Sequence, residues 1–171
     1  MRLTEPDAAI WHLHALRVRY QETDQMGVVF HGNYVTWFEI GRTEFVRTLG
    51  MSYQKIEQAG MLLPVVDLSC SYVSPARYDD LVVVCTAIES FSPIRISFRS
   101  EVRRISVGEE AGLPKLWLGA EPAGELLVKG GTKHVWVNAQ FKPSRLDKAM
   151  PELHRLLAPA ADGTLVIEGG N

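Results

Sequence analysis

A carboxylate, two glycines and a histidine lie in one short segment between a predicted strand and a predicted helix. Asp24 follows the strand, and Gly27 allows a tight turn or a positive φ shortly after it. His31 and Gly32 open the helix, where the first N–H groups have no intrahelical acceptor. Such groups favour negative charge, including the oxyanion of an acyl-transfer intermediate. A carboxylate base or nucleophile beside them is suited to thioester hydrolysis.

Each of these residues could also have a purely structural role. The spacing alone does not distinguish a structural role from a catalytic or binding role. An aspartate in a loop is more often a turn or capping residue than a catalytic one. His31 could pack at the start of the helix instead of entering a site. Asn33 could line a pocket or cap the helix, and Tyr34 could line the same pocket or belong to the core.

The segment must be held by a strand before it and a helix after it. His14–Tyr20 alternates apolar and polar residues, which predicts a short, half-buried strand. Asn33–Leu49 repeats apolar residues every three or four positions, which predicts a helix with one broad buried face. Gly41 within it costs about 1 kcal/mol relative to alanine, which is tolerable where another backbone packs close. Gly50 is expected to end the helix.

The rest of the chain is mostly strand-forming. The predicted strands are Leu62–Val73, Leu81–Ile88, Ile94–Val102 and Leu126–Val137, followed by a short helix at Asp147–Leu157. Pro64 indicates that the first of these strands starts late or lies at an edge, and Gly130-Gly131 suggests a bulge or bend in the last one. Strands segregated from one long helix predict an α+β fold, with an antiparallel sheet wrapped around that helix.

Length and composition exclude several classes of protein. The 171 residues suit one domain, and we expect residues 1–11 and the last dozen to be mobile. A formal net charge of −2 gives no basis for binding nucleic acid or an anionic membrane. The apolar runs are short and the first residues are not apolar, so we expect neither a membrane span nor a secretory signal. Two cysteines, Cys70 and Cys85, match no metal motif and no disulfide scaffold, which is typical of a reduced, cytoplasmic protein.

Two stretches of the sequence resemble a known family. Arg19–Tyr34, followed by Glu39, Arg42, Thr43 and Glu44, is similar to the signature of hotdog-fold acyl-CoA thioesterases of the 4-hydroxybenzoyl-CoA thioesterase type. Tyr72–Asp80 resembles the link between the second and third strands of the same family. The resemblance spans roughly residues 14–157, and the element order described above is that of the hotdog fold.

The resemblance implies an activity and a set of site residues. Asp24 corresponds to the family's catalytic aspartate, and His31 to the residue whose backbone N–H polarises the thioester carbonyl. Substrate contacts are expected from their neighbours in the motif, namely Gly27, Val29, Gly32, Asn33 and Tyr34. The family hydrolyses acyl-CoA thioesters to CoA and a carboxylic acid without a metal or an organic cofactor. The acyl group stays open, as does the choice between CoA and acyl carrier protein, and a non-catalytic acyl-CoA-sensing protein is the alternative.

The resemblance also implies a sheet and an assembly. The family has five antiparallel strands in the order 1-3-4-5-2 around a long central helix, and it forms homodimers, often paired into homotetramers, with sites between subunits. That order places Cys70 and Cys85 on strands too far apart for a disulfide, so both are expected to be free thiols. The exposed edge of Leu62–Val73 favours pairing with its own symmetry mate. Val107–Glu125 is longer than usual in the family and is interpreted as an extended hairpin loop.

Overall fold

The computed structural model describes residues 7–167. In chain order the elements are β1 (Ala9–Arg17), α1 (Asn33–Leu49), α2 (Tyr53–Gln58), β2 (Met61–Leu62), β3 (Val65–Tyr72), β4 (Leu81–Phe91), β5 (Arg95–Arg104), β6 (Leu116–Gly119), β7 (Glu125–Val135), β8 (Val137–Asn138), α3 (Leu146–Ala149) and α4 (Pro151–Asp162). Short 3-10 turns lie at Tyr20–Glu22 and Glu109–Gly112. Within the described residues, no helix is long and apolar enough to cross a membrane.

Six strands form one antiparallel sheet in the order β3-β7-β5-β4-β1-β6, and β2 pairs separately with β8. For the five strands anticipated from the sequence, this is the order 1-3-4-5-2 that the hotdog resemblance implies. The expected count of five is wrong, because β6 adds a strand at the edge beside β1. The interpretation of Val107–Glu125 as a hairpin loop is corrected accordingly. Its Trp117 packs with Trp11 of β1, and the free edge of β1 supplies the backbone partners.

Helix α1 has the limits that its periodicity predicts. Its buried residues are Tyr34, Trp37, Phe38, Gly41, Phe45 and Val46. Gly50 ends it in the left-handed region at φ +117°. A Cβ on Gly41 would lie 2.8 Å from Val84 Cγ1 and overlap Thr86 Oγ1. The helix therefore packs closely against β4. The sequence predicts a backbone beside Gly41, but its close neighbours are side chains of the strand.

Strand β1 starts earlier than its alternation predicts. The expected strand His14–Tyr20 is displaced, because pairing with β4 runs from Trp11↔Ala87 to Arg17↔Leu81. The chain then leaves the sheet and forms the 3-10 turn Tyr20–Glu22. Part of the segment expected to be mobile is thus strand, and residues 1–6 lie outside the described residues.

Strand β3 confirms the inference drawn from Pro64. The expected single strand Leu62–Val73 is divided into β2 and β3, with Pro64 between them, and β3 forms one edge of the sheet. The bulge expected at Gly130-Gly131 is wrong, because both glycines pair in regular register with β3 and β5. They instead allow backbones to approach closely: a Cβ on Gly130 would overlap the carbonyl of Ser69.

The C-terminal region forms two helices where one was expected. Pro151 starts α4 at a position where its missing N–H costs nothing, so the expected helix Asp147–Leu157 divides into α3 and α4. Helix α4 continues to Asp162 and packs its Leu153 and Leu157 into the core beside α1. Only residues 160–162 of the expected loose tail are therefore helical, and residues 168–171 lie outside the described residues.

Strand β4 is buried on both faces, which shows that other parts of the chain pack on each face of the sheet at this strand. Val82 and Val84 pack against α1 on the inner face. Val83 and Cys85 lie on the outer face in a cluster with Trp117 from the segment after β5. Cys70 and Cys85 are free thiols, as expected, because β7 and β5 separate their strands.

Candidate active site

Asp24 lies in a small hairpin between β1 and α1. An antiparallel bridge joins Thr23 to Val29, and the N–H of Asp24 donates to the carbonyl of Val28 at 2.9 Å. The turn closes where the N–H of Gly27 donates to the Asp24 carbonyl, and Gly27 has φ +75°. This φ favours glycine, as the sequence predicts. The hairpin therefore fixes the backbone that carries the carboxylate.

The two carboxylate oxygens of Asp24 are in different situations. Oδ1 accepts a hydrogen bond from the N–H of Met26 at 2.9 Å, which is an Asx turn. Among residues 7–167, no group donates to Oδ2. The turn role and a chemical role are therefore compatible, because one oxygen orients the side chain and leaves the other available.

The start of α1 supplies hydrogen-bond donors near this hairpin. Gly32 is the N-cap residue, and the N–H of Asn33 donates to the carbonyl of Phe30 at 2.9 Å. In the described part of the chain, the N–H groups of His31 and Gly32 have no acceptor. Together with the helix dipole, these two donors favour a negative charge that develops beside them.

Tyr72, the last residue of β3, fixes the peptide group that follows His31. Its hydroxyl donates to the His31 carbonyl at 3.0 Å, and its ring lies edge-on to the imidazole with centroids 6.3 Å apart. The neighbouring Cys70 thiol, the largest influence, and burial raise the pKa of Tyr72 to about 12. The hydroxyl therefore stays protonated at neutral pH and remains a donor.

The link after β3 is bonded to the same region. The N–H of Val29 donates to the carbonyl of Ala76 at 2.8 Å, and the N–H of Ala76 donates to the Tyr34 hydroxyl at 3.1 Å. Tyr34 is buried, and its ring packs edge-on against Trp37 with centroids 5.0 Å apart. Tyr34 thus belongs to the core and also braces the link.

These segments line a cavity of about 250 Å³. Its lining consists of Asp24, Met26, Val28, Val29, His31, Tyr34, Tyr72, Val73, Ser74 and Pro75. The structure therefore brings Asp24 and His31 to one cavity, together with Val29 and Tyr34 of the expected substrate contacts.

Three of the expected contact residues do not line this cavity. Gly27 belongs to the turn described above, and Gly32 leaves room for the Phe30 ring, which a Cβ would approach to 2.9 Å. Asn33 does not cap the helix, since its Nδ2 donates to the Glu22 carbonyl at 2.8 Å. None of these three residues is therefore a direct contact in this cavity.

Comparison of the sequence with known proteins identifies the family to which this site belongs. The sequence model of the thioesterase superfamily matches residues 26–111, about half of the chain. "Putative acyl-CoA thioesterase YneP" of Bacillus subtilis is 37% identical over 140 residues, which cover 81% of this chain and 89% of that protein. The chain belongs to the thioesterase superfamily.

Solved structures of thioesterases share the fold of this superfamily member. The DHNA-CoA thioesterase of Staphylococcus aureus is 33% identical, with a TM-score of 0.75 over 91% of this chain and 97% of that one. A 4-hydroxybenzoyl-CoA thioesterase variant complexed with 4-hydroxybenzoyl-CoA has a TM-score of 0.65 over 84% and 97% of the two chains. Its identity of 18% makes it a likeness of fold, and the fold is the hotdog fold.

A buried carboxylate behind the site of this thioesterase was not predicted from the sequence. Glu22 accepts from the N–H of Arg19 at 2.8 Å and from the indole Nε1 of Trp37 at 2.7 Å. Its carbonyl accepts from Phe30 and Asn33. Burial, the largest influence, raises the pKa of Glu22, but hydrogen bonds from Arg19 and Trp37 together hold it below its ordinary value.

The contact role of the link was missed as well. Tyr72–Asp80 supports the family resemblance, yet no residue of it was expected in the site. A tyrosine at the end of an edge strand is the signal that could have indicated one.

Within residues 7–167 of this thioesterase, no group of His, Cys, Asp and Glu side chains could hold a metal ion. His12 and His14, which stack at 6.4 Å, form no such group either.

Proposed function

We propose that this protein hydrolyses acyl-CoA thioesters to CoA and a carboxylic acid, with Asp24 as base or nucleophile. The observation that carries the proposal is the meeting of Asp24 and His31 at one cavity, beside two backbone N–H groups that have no acceptor. The relatives named above support the substrate class, because thioesterase activity on acyl-CoA is what their names describe.

The geometry suits either of two routes. In the first, the Asp24 carboxylate takes a proton from water, which attacks the thioester carbonyl carbon. In the second, the carboxylate attacks that carbon directly, forming a mixed anhydride that water then hydrolyses. In both routes the CoA thiolate leaves, and the N–H groups of His31 and Gly32 stabilise the oxyanion. Neither route needs a metal ion or an organic cofactor. Acyl carrier protein is a second candidate, besides CoA, for the carrier of the acyl group.

We also infer that the working unit is a homodimer, which could pair further into a tetramer. β3 is an edge strand that exposes Val66 and Leu68 by 56% and 41%, and Asp67 is its one charged residue. Tyr72 at its end lines the cavity. A partner copy paired along β3 therefore lies beside the site and can complete the acyl pocket.

Asp24→Asn tests the chemical role of the carboxylate. The amide keeps the shape and the Asx turn but is neither a base nor a carboxylate nucleophile, so turnover should fall by about 100-fold or more. Turnover is measured as CoA release from a panel of acyl-CoA substrates. Asp147→Asn, which alters a half-buried carboxylate paired with Arg145 outside the cavity, should leave turnover unchanged.

Two results would count against the proposal. Turnover of Asp24→Asn within a few-fold of the unmodified protein would remove Asp24 from the mechanism. Tight binding of acyl-CoA without CoA release from any substrate would favour the non-catalytic, sensing alternative. An unchanged melting temperature of the variant shows that the comparison concerns chemistry and not folding.

A further inference from the structure

A second cavity, of about 680 Å³, lies on the outer face of the sheet, away from α1. Its floor consists of Leu13 on β1 together with Val83 and Cys85 on β4. The residues next to them along β4, Val82 and Val84, face α1 on the other side of the sheet. The cavity is therefore separated from the Asp24 cavity by the sheet itself.

The roof of this cavity is the segment after β5, residues 107–124, which we call the strap. Leu113, Pro114, Trp117 and Pro122 of the strap line the cavity. The family match ends at residue 111, within the strap. The four strap residues named above all follow the last matched residue.

The strap is bonded to the sheet at two places, so the cavity is built into the fold. On one side β6 pairs with β1, and the Trp11 indole donates to the Gly119 carbonyl at 3.2 Å. On the other side the guanidinium of Arg103, which is 4% exposed, donates to the Gly124 carbonyl and to Glu121, each at 2.9 Å. Anchors on both sides hold the strap over the sheet.

The lining combines an apolar interior with an acidic rim. Leu13, Val83, Leu113 and Trp117 are apolar, and burial, the largest influence, raises the pKa of the Cys85 thiol to about 12, which keeps it uncharged. Carboxylates outnumber guanidinium groups at the rim: Glu109, Glu121 and Glu125 line it with Arg104 alone. Arg104 is already paired with Asp80 and Glu125, and Arg103 with Glu101 and Glu121.

We propose that this second cavity binds an uncharged, mainly apolar molecule of two or three rings, at a site independent of the hydrolytic one. Its volume falls within the range of small-molecule sites, which are lined mostly by apolar and aromatic side chains with a few polar groups. The acidic rim disfavours anions such as acyl-CoA and free carboxylates, the substrate and product of the proposed reaction. The occupant is therefore chemically different from the substrate.

Two fluorescent probes with the same ring system test the proposal on the full chain. N-phenyl-1-naphthylamine is uncharged, and 1-anilinonaphthalene-8-sulfonate adds one sulfonate. We expect saturable binding of the uncharged probe, one molecule per chain, at least ten-fold tighter than the sulfonate at low salt. The difference should shrink in about 1 M salt, which screens the rim.

Variants assign the probe to one cavity. Val83→Trp fills the floor of the second cavity, and Leu113→Glu puts a charge into the strap without disturbing the sheet. Each should weaken binding of the uncharged probe about ten-fold while CoA release is retained. Val73→Trp, which fills the Asp24 cavity, is the matched control and should leave the probe affinity unchanged.

The proposal is overturned by any of three results. One is the absence of saturable binding of the uncharged probe, as when a second copy of the chain covers the strap. Another is equal affinity for the two probes at low salt. The third is a loss of binding in Val73→Trp that Leu113→Glu does not reproduce.

Discussion

At the scale of single residues, Glu22 connects the strand that precedes the site to the helix that follows it. Its carboxylate binds Arg19 before the hairpin and Trp37 one turn inside α1, and its carbonyl binds Asn33 at the helix start. Asp24 stands between these anchors. Charge-assisted hydrogen bonds are stronger than neutral ones, and a buried polar group whose partners are all satisfied fixes the local geometry.

Glu22→Gln should therefore lower both stability and turnover. The amide NH₂ faces either the Arg19 N–H or the Trp37 indole, so a donor meets a donor, at a cost of about 1–3 kcal/mol in the free energy of unfolding. Displacement of the hairpin should reduce kcat several-fold. Denaturant unfolding measures the first effect, and CoA release the second. Glu57→Gln, on the exposed face of α2, is the control; equal effects of the two substitutions would show that the Glu22 contacts do not hold the hairpin.

Two buried histidines give the protein a predictable dependence on pH. His12 contacts Thr48, and His134 binds the Leu63 carbonyl and Thr132. Burial, the largest influence in both, lowers each pKa from 6.5 to about 4. Each histidine is therefore neutral in the folded protein at neutral pH. As the pH falls, these histidines take up protons in the unfolded chain at a higher pH than they do in the folded protein.

The free energy of unfolding should decrease as the pH drops from about 6.5 towards 4, and be insensitive to these groups above 6.5. A lowered pKa means that the unfolded state binds more protons in this window, which costs up to about 3 kcal/mol per histidine. Chemical denaturation across pH 4–8 measures the slope. His134→Gln should make the slope smaller, whereas His154→Gln on α4 should leave it unchanged. If the unmodified protein and both variants have the same slope, His134 is not a source of the pH dependence.

At the scale of elements, the glycine pair in β7 sets how closely three strands approach. Gly130 pairs with Cys70 of β3 and Ser100 of β5, and a Cβ built on it would overlap the Ser69 backbone. A side chain there must displace a strand, because the neighbouring atoms are backbone and not a flexible side chain.

Gly130→Ala should consequently destabilise the protein by about 1–3 kcal/mol and loosen β3. Hydrogen exchange should show reduced protection of the β3 amides bonded to β7, together with a lower melting temperature. Gly112→Ala is the matched control, since nothing lies within 4 Å of a Cβ there and its φ is not positive. Normal protection of β3 in Gly130→Ala would mean that the strands can separate without cost.

Local patterns were sufficient for some elements and not for others. α1 was predicted with its true limits because a 3.6-residue repeat and a left-handed Gly50 are both local signals. β1 was displaced because partner register with β4 fixes where a strand begins, and β6 was missed because its few apolar residues lie within a glycine- and proline-rich stretch.

The candidate site divides in the same way. Asp24 and His31 were predicted from a contiguous motif, and the structure brings them to one cavity. Glu22 and Tyr72 were not predicted, because their importance depends on partners far along the chain, Trp37 and His31. Long-range contacts of this kind leave no periodicity in the sequence.

At the scale of the whole molecule, the sheet has two different edges. β3 exposes Leu68 by 41% and Tyr72 by 52%, and it ends at the Asp24 cavity. β6 exposes Leu118 by 54% at the opposite edge, beside the strap. A homodimer paired along β3 would place two sites near the shared boundary, whereas pairing along β6 would place the boundary at the far edge of the sheet.

Leu68→Lys should therefore weaken the dimer and the activity together. Under twofold symmetry each new ammonium approaches its counterpart, and like charges across an interface are strongly unfavourable. Sedimentation at micromolar concentration should show a shift towards monomer, with CoA release reduced in proportion. Leu118→Lys, an equivalent change on the other edge strand, should alter neither. A fully active monomer would refute the shared site, and dissociation caused by Leu118→Lys alone would assign the interface to β6, on the side of the sheet where the partner copy cannot reach Asp24.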